Sequence, residues 1–307
     1  MTVQKLLDFL VFILKINKLN KTFSLHKITS NENLSFEPSD YSWFKFGDKT
    51  YAKKFAKELF DDFIFNFKEI ILEQDEIIIL PSPYLSIPTA SNFLCYYFKE
   101  FLNKFLFENN RKASIESKIH RNQTYVTDYG NLDFEERIKL ISNDTYYIDK
   151  EFINGKLCLF LDDIKITGSH EHTVNKILNQ YNVKGEFYFI YFAELVNKEI
   201  HPNIENYFNY FSVKGIKEII QVINRDSFQF NTRIVKFILN LKEDELSLLL
   251  NNINQNTKED LFLSSISNNY HQINEYSKNL ITIKNSLKWQ LIYKKVKEKT
   301  LTLQDLQ

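Results

Sequence analysis

Two adjacent acids, Asp162 and Asp163, are the residues of this sequence that most directly suggest chemistry. They follow five apolar residues, 157–161, which predict a strand buried on both faces because Gly155 and the acids leave no room for a helix. Carboxylates at the carboxyl end of a central strand lie where open α/β sheets bind ligands. A neighbouring pair of acids suits a vicinal diol or a hydrated Mg²⁺.

A short turn with the sequence K-I-T-G-S, residues 165–169, follows the acids. A helix is predicted from Ser169 to about Gln180. The backbone N–H groups of the turn and the positive end of the helix form a cradle for a phosphate, and the hydroxyls of Thr167 and Ser169 add donors. A diol-binding pair beside a phosphate cradle suits a ribose 5-phosphate.

The run from Cys158 to His170 resembles the signature with which type I phosphoribosyltransferases bind phosphoribosyl pyrophosphate (PRPP). The shared features are four apolar residues, two acids, a short variable run, Thr-Gly and a small polar pair. The resemblance implies that Asp162 and Asp163 hold the ribose hydroxyls and, directly or through water, Mg²⁺. The residues that it implies for the 5-phosphate are Lys165, Ile166, Thr167, Gly168, Ser169 and His170.

The signature departs from the family at two positions. His170 stands where Thr or Ser is usual, and Ile166 occupies a position that carries an acid in some members. The alternative is a Rossmann-like strand that ends in Asp-Asp, as many metal or nucleotide sites do. The run His170-Glu171-His172 also offers ligand types for Zn²⁺ or a two-metal site, but His side chains two residues apart diverge on a helix. His170 could instead donate to the phosphate.

A stiff, hydroxyl-rich loop, residues 81–91, follows a predicted strand at Ile77–Leu80. In the resembled family the loop after this strand binds pyrophosphate, and ComF-like members carry a proline-rich version. A Lys-Phe-Gly-Asp turn, residues 45–48, also resembles the ComF-like branch. The pyrophosphate candidates are therefore Ser82, Pro83, Tyr84, Ser86 and Lys45, with Thr89 as a further donor. In the alternative interpretation, Thr89 or Ser91 only caps the next helix, and Lys45 is an exposed lysine.

The polar residues 118–130 stand where type I enzymes place a mobile catalytic loop that closes over PRPP. Arg121 is the candidate catalytic residue of this loop, because a guanidinium binds phosphate oxygens in a bidentate way. Lys118 and His120 are alternatives, and a solvated loop without a role is the ordinary explanation for all three.

The elements that position these residues alternate between strands and helices. Strands are predicted at 77–80, 157–161 and 185–193, with a further strand at 216–223, and helices are predicted at 51–67, 92–107, 134–142 and 169–180. The alternation predicts an α/β fold with a mainly parallel sheet flanked by helices, similar to type I phosphoribosyltransferases. A packing helix at 6–16 and a polar, irregular segment at 22–42 are expected to precede this domain.

Three regions follow: an N-terminal helix and arm (1–40), the α/β domain (41–224) and a helical extension (225–307). Helices are predicted in the extension at 234–253, 258–267 and 283–297. In the resembled family a variable segment, the hood, covers the active site and selects the acceptor base. Arg225, Tyr270 and Trp289 are candidates for contact with a base, and core packing or a partner surface is the alternative.

Composition narrows the function. The 307 residues contain 39 Lys and Arg and 39 Asp and Glu, and this zero net charge argues against a general nucleic-acid binder. Cys95 and Cys158 lie in apolar sequence, which predicts reduced core thiols in a cytoplasmic protein. The apolar run at 6–16 is too short and too charged for a signal peptide or membrane span, so no membrane partner is expected.

The sequence therefore predicts a ComF-like phosphoribosyltransferase that uses PRPP, Mg²⁺ and a nucleobase-like molecule, with pyrophosphate exchange. The resemblance also implies a role in nucleotide metabolism or bacterial stress response, and a homodimer as in many relatives. A non-catalytic PRPP or nucleotide sensor is the main alternative, supported by Ile166 and His170. A protein-interaction scaffold is a third hypothesis, which the retained acid pair disfavours.

Overall fold

A five-stranded parallel sheet forms the centre of the computed structural model, which describes residues 20–121, 135 and 146–288. Its strands are β1 (Asn20–Ile28), β2 (Ile77–Pro81), β3 (Ile115–Glu116), β6 (Leu157–Lys165) and β7 (Glu186–Leu195). The order across the sheet is β1-β7-β6-β2-β3. A separate antiparallel ribbon pairs β4 (His120–Arg121) with β5 (Tyr146–Tyr147). The predicted α/β fold class is confirmed.

Helices surround the sheet and continue beyond it. Those of the sheet region are α1 (Pro38–Lys45), α2 (Lys49–Glu73), α3 (Ala90–Glu108), α4 (Lys150–Ile153) and α5 (Ser169–Gln180). Beyond β7 follow α6 (Ile204–Asn209), α7 (Ile216–Ile223), α8 (Thr232–Leu239), α9 (Glu243–Asn252), α10 (Gln255–Ser267) and α11 (Asn274–Asn285), with a 3₁₀ turn at Tyr270–Gln272. Residues 204–288 are called the helical region below.

Side-chain alternation along the central strands divides the interior into two layers. In β6, Leu157, Leu159 and Leu161 pack with α2 and α3, while Cys158 and Phe160 pack with α5 on the opposite face. Both faces are covered, as a parallel sheet requires, and this explains the unbroken apolar run in the sequence. Cys95 and Cys158 are buried free thiols, as predicted.

The order of the strands creates a switch point between β2 and β6. From β2 the chain moves outward to β3, whereas from β6 it moves the other way to β7. The loops that leave β2 and β6 therefore diverge and open a crevice at the carboxyl end of the sheet. The proline-rich loop and the acid pair both lie at this crevice.

The helical region has its own hydrophobic core, which includes two residues from outside the region. Phe46, from the turn after α1, and Ile87, from the loop after β2, are both buried in it. The hydroxyl of Ser42 in α1 donates to the Asn209 carbonyl (2.8 Å) and accepts from the N–H groups of Ser212 and Val213 (3.1 Å each). These contacts fix the helical region against the sheet region.

The structure corrects three sequence-based expectations. Residues 22–42 are irregular only at 29–37, because 20–28 form the edge strand β1, paired in parallel with β7, and α1 begins at Pro38. The alternation of Phe23 and Leu25 with polar residues is the strand signal that was missed. The strand expected at 216–223 is helix α7, whose isoleucines at 216, 219, 220 and 223 have helical spacing. Strand β6 does not end before the acids but continues to Lys165, because β7 remains paired with it to that point.

The other predicted elements agree in type with the structure, with shifted ends. The helix expected at 234–253 is two helices, α8 and α9, separated at Asn240–Lys242. The predicted helix at 6–16 lies outside the described residues, as do 134–142 apart from residue 135. Of the helix predicted at 283–297, residues 283–285 are the end of α11, 286–288 are not helical, and the rest lies outside the described residues. In the described part of the chain, no helix combines the length and apolarity needed to cross a membrane.

Candidate functional site

A cavity of about 620 Å³ opens at the crevice between β2 and β6. The acid pair, the turn at 165–169, the loop after β2 and the helical region all contribute to its wall. Every predicted site residue lines this cavity except Ser86, which is exposed and lines a different depression. Three-dimensional structure thus brings together segments separated by more than half the chain.

Asp162 and Asp163 lie just beyond the last residue pair between β2 and β6, Pro81 with Leu161. Because β2 stops there while β7 continues, the acids line the crevice with only one neighbouring strand beside them. Their side chains alternate across the sheet and so meet different partners. The two carboxylates therefore differ in their chemistry.

Asp163 is buried and is held from the side of α1. Its Oδ2 accepts hydrogen bonds from the Tyr41 hydroxyl (2.7 Å) and from the Lys45 ammonium. Burial alone would raise the pKa of Asp163, but the charge and hydrogen bond of Lys45, together with the Tyr41 hydroxyl, lower it below its ordinary value. Asp163 is therefore an ionised carboxylate whose Oδ2 is held by two donors.

Asp162 lies on the other face, next to the start of α5. The Nδ1 atom of His170 is 3.4 Å from its Oδ2, and its Oδ1 accepts the N–H of Asp163 (3.0 Å). Burial raises the pKa of Asp162 more than the charge of His170 lowers it. The Nε2 atom of His170 makes no hydrogen bond within the described part of the chain. Asp162 and His170 thus form a polar pair in the cavity wall.

The turn before α5 has the geometry of an anion cradle. Gly168 adopts a left-handed conformation (φ 76°) that L side chains rarely take, and it is the N-cap of α5. The N–H of His172 donates to the Gly168 carbonyl (2.9 Å). The N–H groups of residues 169–171, in the first turn of α5, therefore take no part in the hydrogen bonds within the helix. The Thr167 hydroxyl donates to the Ser169 hydroxyl (3.2 Å). Amides and hydroxyls therefore converge where the sequence predicted a phosphate.

Two residues of this turn have side chains engaged elsewhere. The Lys165 ammonium pairs with Glu171 (2.8 Å) and Glu194 (3.4 Å), and Ile166 is buried in the main core.

The loop after β2 is held rigidly at both ends. The Asn268 Oδ1 accepts the N–H groups of Ser86 and Ile87 (3.0 Å each), which accounts for the position of Ser86 outside the cavity. Thr89 is the N-cap of α3, and its N–H donates to the Asn92 Oδ1 (2.7 Å). Thr89 also lines the cavity, so the capping and ligand-binding interpretations are compatible.

Arg121 lines the cavity from the β4–β5 ribbon. Lys118 and His120 were the alternatives to Arg121. Lys118 places its ammonium 3.7 Å from the centre of the Tyr84 ring and donates to the Leu85 carbonyl (3.2 Å), while His120 is exposed and pairs with Tyr147. Neither lines the cavity. The remainder of the predicted catalytic loop, 122–130, lies outside the described residues.

The helical region contributes a wall that sequence reasoning largely missed. Of the three residues suggested in the extension, Tyr270 is buried and lines the cavity, Arg225 instead pairs with Asp48 (2.6 Å), and Trp289 lies outside the described residues. The residues that were not anticipated are Glu205, Tyr210, Lys214, Gly215, Thr232, Arg233, Lys236, Phe237, Asn240, Leu241, Glu245 and Asn268. The helical spacing of Arg233, Lys236, Phe237 and Asn240 was the available signal.

A metal ion would find carboxylate and phosphate oxygens here. In the part of the chain that the structure describes, no three His, Cys, Asp or Glu side chains form a cluster suited to a metal. Mg²⁺ usually binds through one or two carboxylates together with substrate phosphates. The engaged state of Asp163 leaves Asp162 as the acid that fits such an ion.

The sequence model of the family described as PRTase ComF-like matches residues 19–283. This match covers the whole described sheet and nearly all of the helical region. No curated protein matches the chain.

Proposed function

The chain belongs to the ComF-like phosphoribosyltransferase family, and from this premise we propose that it binds PRPP with Mg²⁺ and exchanges pyrophosphate for a nucleobase at C1 of the ribose. The observation that carries the proposal is the shared cavity of the acid pair, the turn before α5 and the loop after β2. Acids, phosphate cradle and rigid loop match the three parts of PRPP: ribose, 5-phosphate and pyrophosphate.

The chemistry assigns a different part to each segment. The leading amides of α5 and the hydroxyls of Thr167 and Ser169 would hold the 5-phosphate. Asp162 would bond the ribose hydroxyls and favour the positive charge that develops on the ring. Arg121 and the loop residues Ser82 and Tyr84 would orient the pyrophosphate.

In the reaction, a nitrogen of the base bonds to C1 as the bond from C1 to the pyrophosphate oxygen breaks, and pyrophosphate leaves with the electron pair. The proton of the base nitrogen passes to pyrophosphate or solvent, because the buried Ile166 offers no carboxylate to accept it. Mg²⁺, when bound with PRPP at Asp162, supplies neutralising charge to the pyrophosphate. The neutral charge balance of the chain does not conflict with such a local site.

A PRPP sensor without catalysis is the second candidate. It is favoured by Ile166, whose side chain packs in the core where some relatives carry an acid. Both candidates need the same pocket, so they differ only in turnover. The base, the homodimer and the stress-related role implied by the resemblance stay predictions.

Calorimetric titration of the purified protein with PRPP and Mg²⁺ tests the proposal, with ribose 5-phosphate as the reference ligand. We expect micromolar binding of PRPP that requires Mg²⁺ and is lost in Asp162→Asn. Asp75→Asn is the matched control, because the Asp75 side chain is 98% exposed and remote from the cavity. Absence of PRPP binding to the folded protein would exclude both candidates. If PRPP binds, an assay for pyrophosphate release in the presence of a base distinguishes the enzyme from the sensor.

A further inference from the structure

Helix α8 turns one face toward the cavity. Arg233, Lys236, Phe237 and Asn240, called the α8 face below, line the cavity and lie on one side of the helix because they are spaced i, i+3, i+4 and i+7. The opposite side is buried in the core of the helical region through Ile234, Val235, Ile238 and Leu239. Packing of the apolar side therefore fixes a basic and aromatic surface in the cavity wall.

The first turn of α8 is tied to the segments that carry the acid pair and the loop after β2. Asn231, the N-cap of α8, donates from Nδ2 to the Lys45 carbonyl (3.0 Å), and Lys45 pairs with Asp163. The N–H of Thr232 donates to the Pro88 carbonyl (2.9 Å). A helix rises about 1.5 Å per residue, so Lys236 lies about 4.5 Å further along the axis than Arg233. The face therefore begins beside the segments that carry Lys45 and the loop after β2, and it extends away from them along the helix axis.

The charges and rings on this wall suit a flat anion. The helical region contributes three cations to the lining, Lys214, Arg233 and Lys236, and two carboxylates, Glu205 and Glu245. Glu205 is buried, and the Glu245 Oε2 accepts the N–H of Lys242 (3.3 Å) at the start of α9. A guanidinium has five N–H donors and an ammonium has three, so each serves several acceptors at once.

Two aromatic rings adjoin the cations. Tyr210 and Phe237 both line the cavity and pack edge-to-face on the buried ring of Phe46, at 5.5 and 6.0 Å between ring centres. The guanidinium of Arg233 lies 5.8 Å from the centre of the Tyr210 ring. A planar ligand beside these rings would place an anionic substituent within reach of the cations.

We propose that the α8 face binds a carboxylate carried by a heteroaromatic acceptor, whose ring contacts Tyr210 and Phe237. This inference rests on the proposed function, because it names the class of base that accepts the phosphoribosyl group. A carboxylate accepts two hydrogen bonds from a guanidinium in parallel, which favours the charged ring over a neutral one of the same shape.

Binding of matched acid and neutral ligands tests the proposal. The probes are pyridine-3-carboxylate against pyridine-3-carboxamide and uracil-6-carboxylate against uracil, each with and without PRPP and Mg²⁺. We expect at least one acid to bind about tenfold more tightly than its neutral partner, the difference expected from one charge-assisted hydrogen bond. The preference should disappear in Arg233→Gln/Lys236→Gln and remain in Lys236→Arg and in the control Lys217→Gln, an exposed α7 lysine outside the cavity.

Equal affinity of the wild-type protein for acid and neutral members of both pairs would overturn the proposal. It would also be overturned if the double variant lost PRPP affinity but kept its acid preference, since the α8 face would then bind pyrophosphate. Failure of the proposed function is a separate result, seen as no PRPP binding while the acid preference persists. If the double variant does not fold, salt titration of the wild-type preference decides, because screening must weaken a charge-based preference.

Discussion

Asp162 and Asp163 are adjacent in the chain, yet one is held by the protein and the other is exposed to the ligand cavity. Asp163 points to the α1 side, where Lys45 and Tyr41 satisfy its charge. Asp162 points to the α5 side, where burial raises its pKa. The Nδ1 atom of His170 lies 3.4 Å from its Oδ2. We infer that Asp163 organises the site and that Asp162 is the acid available to a ribose or Mg²⁺.

Replacement of Asp162 should stabilise the fold while it removes ligand binding. The pKa of Asp162 is higher in the folded state than in the unfolded state, so the unfolded chain loses this proton at lower pH. The free energy of unfolding therefore falls as pH rises from the unfolded pKa through the folded pKa. Asp162→Asn removes this penalty and keeps an oxygen for the N–H of Asp163. We expect a higher unfolding free energy at neutral pH, with a gain that shrinks as pH falls through the raised folded-state pKa and is nearly gone below the ordinary value of 3.8.

Chemical denaturation at a series of pH values measures this gain. Asp75→Asn, on an exposed side chain, should leave the stability unchanged at each pH. A variant less stable than wild type at neutral pH would mean that the charge of Asp162 is satisfied in the folded state.

Loss of Lys45 should have the opposite effect. Lys45→Met leaves the buried Asp163 carboxylate without its cation, and breaking a buried pair on one side costs about 3–5 kcal/mol. The loss should be greatest at neutral pH, because Asp163 is ionised there, and should shrink in acid as the carboxyl group becomes protonated. Urea unfolding of Lys45→Met, Asp163→Asn and the double variant measures the coupling. If the stability loss of the double variant equals the sum of the two single losses, Lys45 and Asp163 do not stabilise each other.

At the scale of elements, the turn before α5 depends on one glycine. Gly168 has φ 76°, and a Cβ there meets only the Lys165 Cε at 3.6 Å, so Gly168→Ala costs backbone strain and no clash. We expect a loss of about 1 kcal/mol in stability and weaker PRPP binding, because relief of the strain moves the amides of the cradle.

Gly155→Ala is the matched control for this turn. Gly155 has a similar φ of 80° with nothing within 4 Å of an added Cβ, and it does not line the cavity. Both variants should lose similar stability, but only Gly168→Ala should bind PRPP more weakly. Equal PRPP affinity in the two variants would mean that the turn does not hold the 5-phosphate.

The loop after β2 depends on a residue far away in the sequence. Asn268, at the end of α10, is buried and accepts both the Ser86 and Ile87 N–H groups. Asn268→Ala leaves two amides without an acceptor, and we expect a stability loss of about 1–3 kcal/mol. Asn251→Ala is the control, on an exposed amide near the end of α9. Thermal denaturation measures the stability loss of each variant. Equal losses would mean that the hydrogen bonds between Asn268 and the loop add no more stability than an exposed amide does.

At the scale of the whole molecule, sheet region and helical region share too many buried contacts to unfold separately. Ser42, Phe46 and Ile87 are buried between them or in the helical core. We expect a single unfolding transition. The chain has two tryptophans, and Trp43 lies at this junction with its ring 4.2 Å from the Arg225 guanidinium.

A Trp289→Phe variant leaves Trp43 as the sole tryptophan, so selective excitation of tryptophan reports on the junction. The tryptophan fluorescence and the far-ultraviolet circular dichroism of the whole chain should change at the same denaturant concentration. An earlier fluorescence transition would show that the helical region separates first.

The sequence alone determined the α/β class, the central strands and the candidate acid pair and turn, because these depend on local patterns. An unbroken apolar run predicts a strand buried on both faces, and a Thr-Gly turn before a helix predicts an anion cradle. The different surroundings of Asp162 and Asp163 were not predicted, because the expected strand ended before them and alternation reaches the acids only where pairing with β7 extends β6 to Lys165.

Tertiary structure alone decided which distant residues share the cavity. The pairing of Lys45 with Asp163, the hold of Asn268 on the loop after β2 and the direction of the α8 face depend on contacts across more than 100 residues. Edge strand β1 also needed its partner β7, because alternating apolar and polar residues in a short segment do not specify a neighbour. Local sequence patterns define elements, whereas the packing of those elements defines which side chains meet at the site.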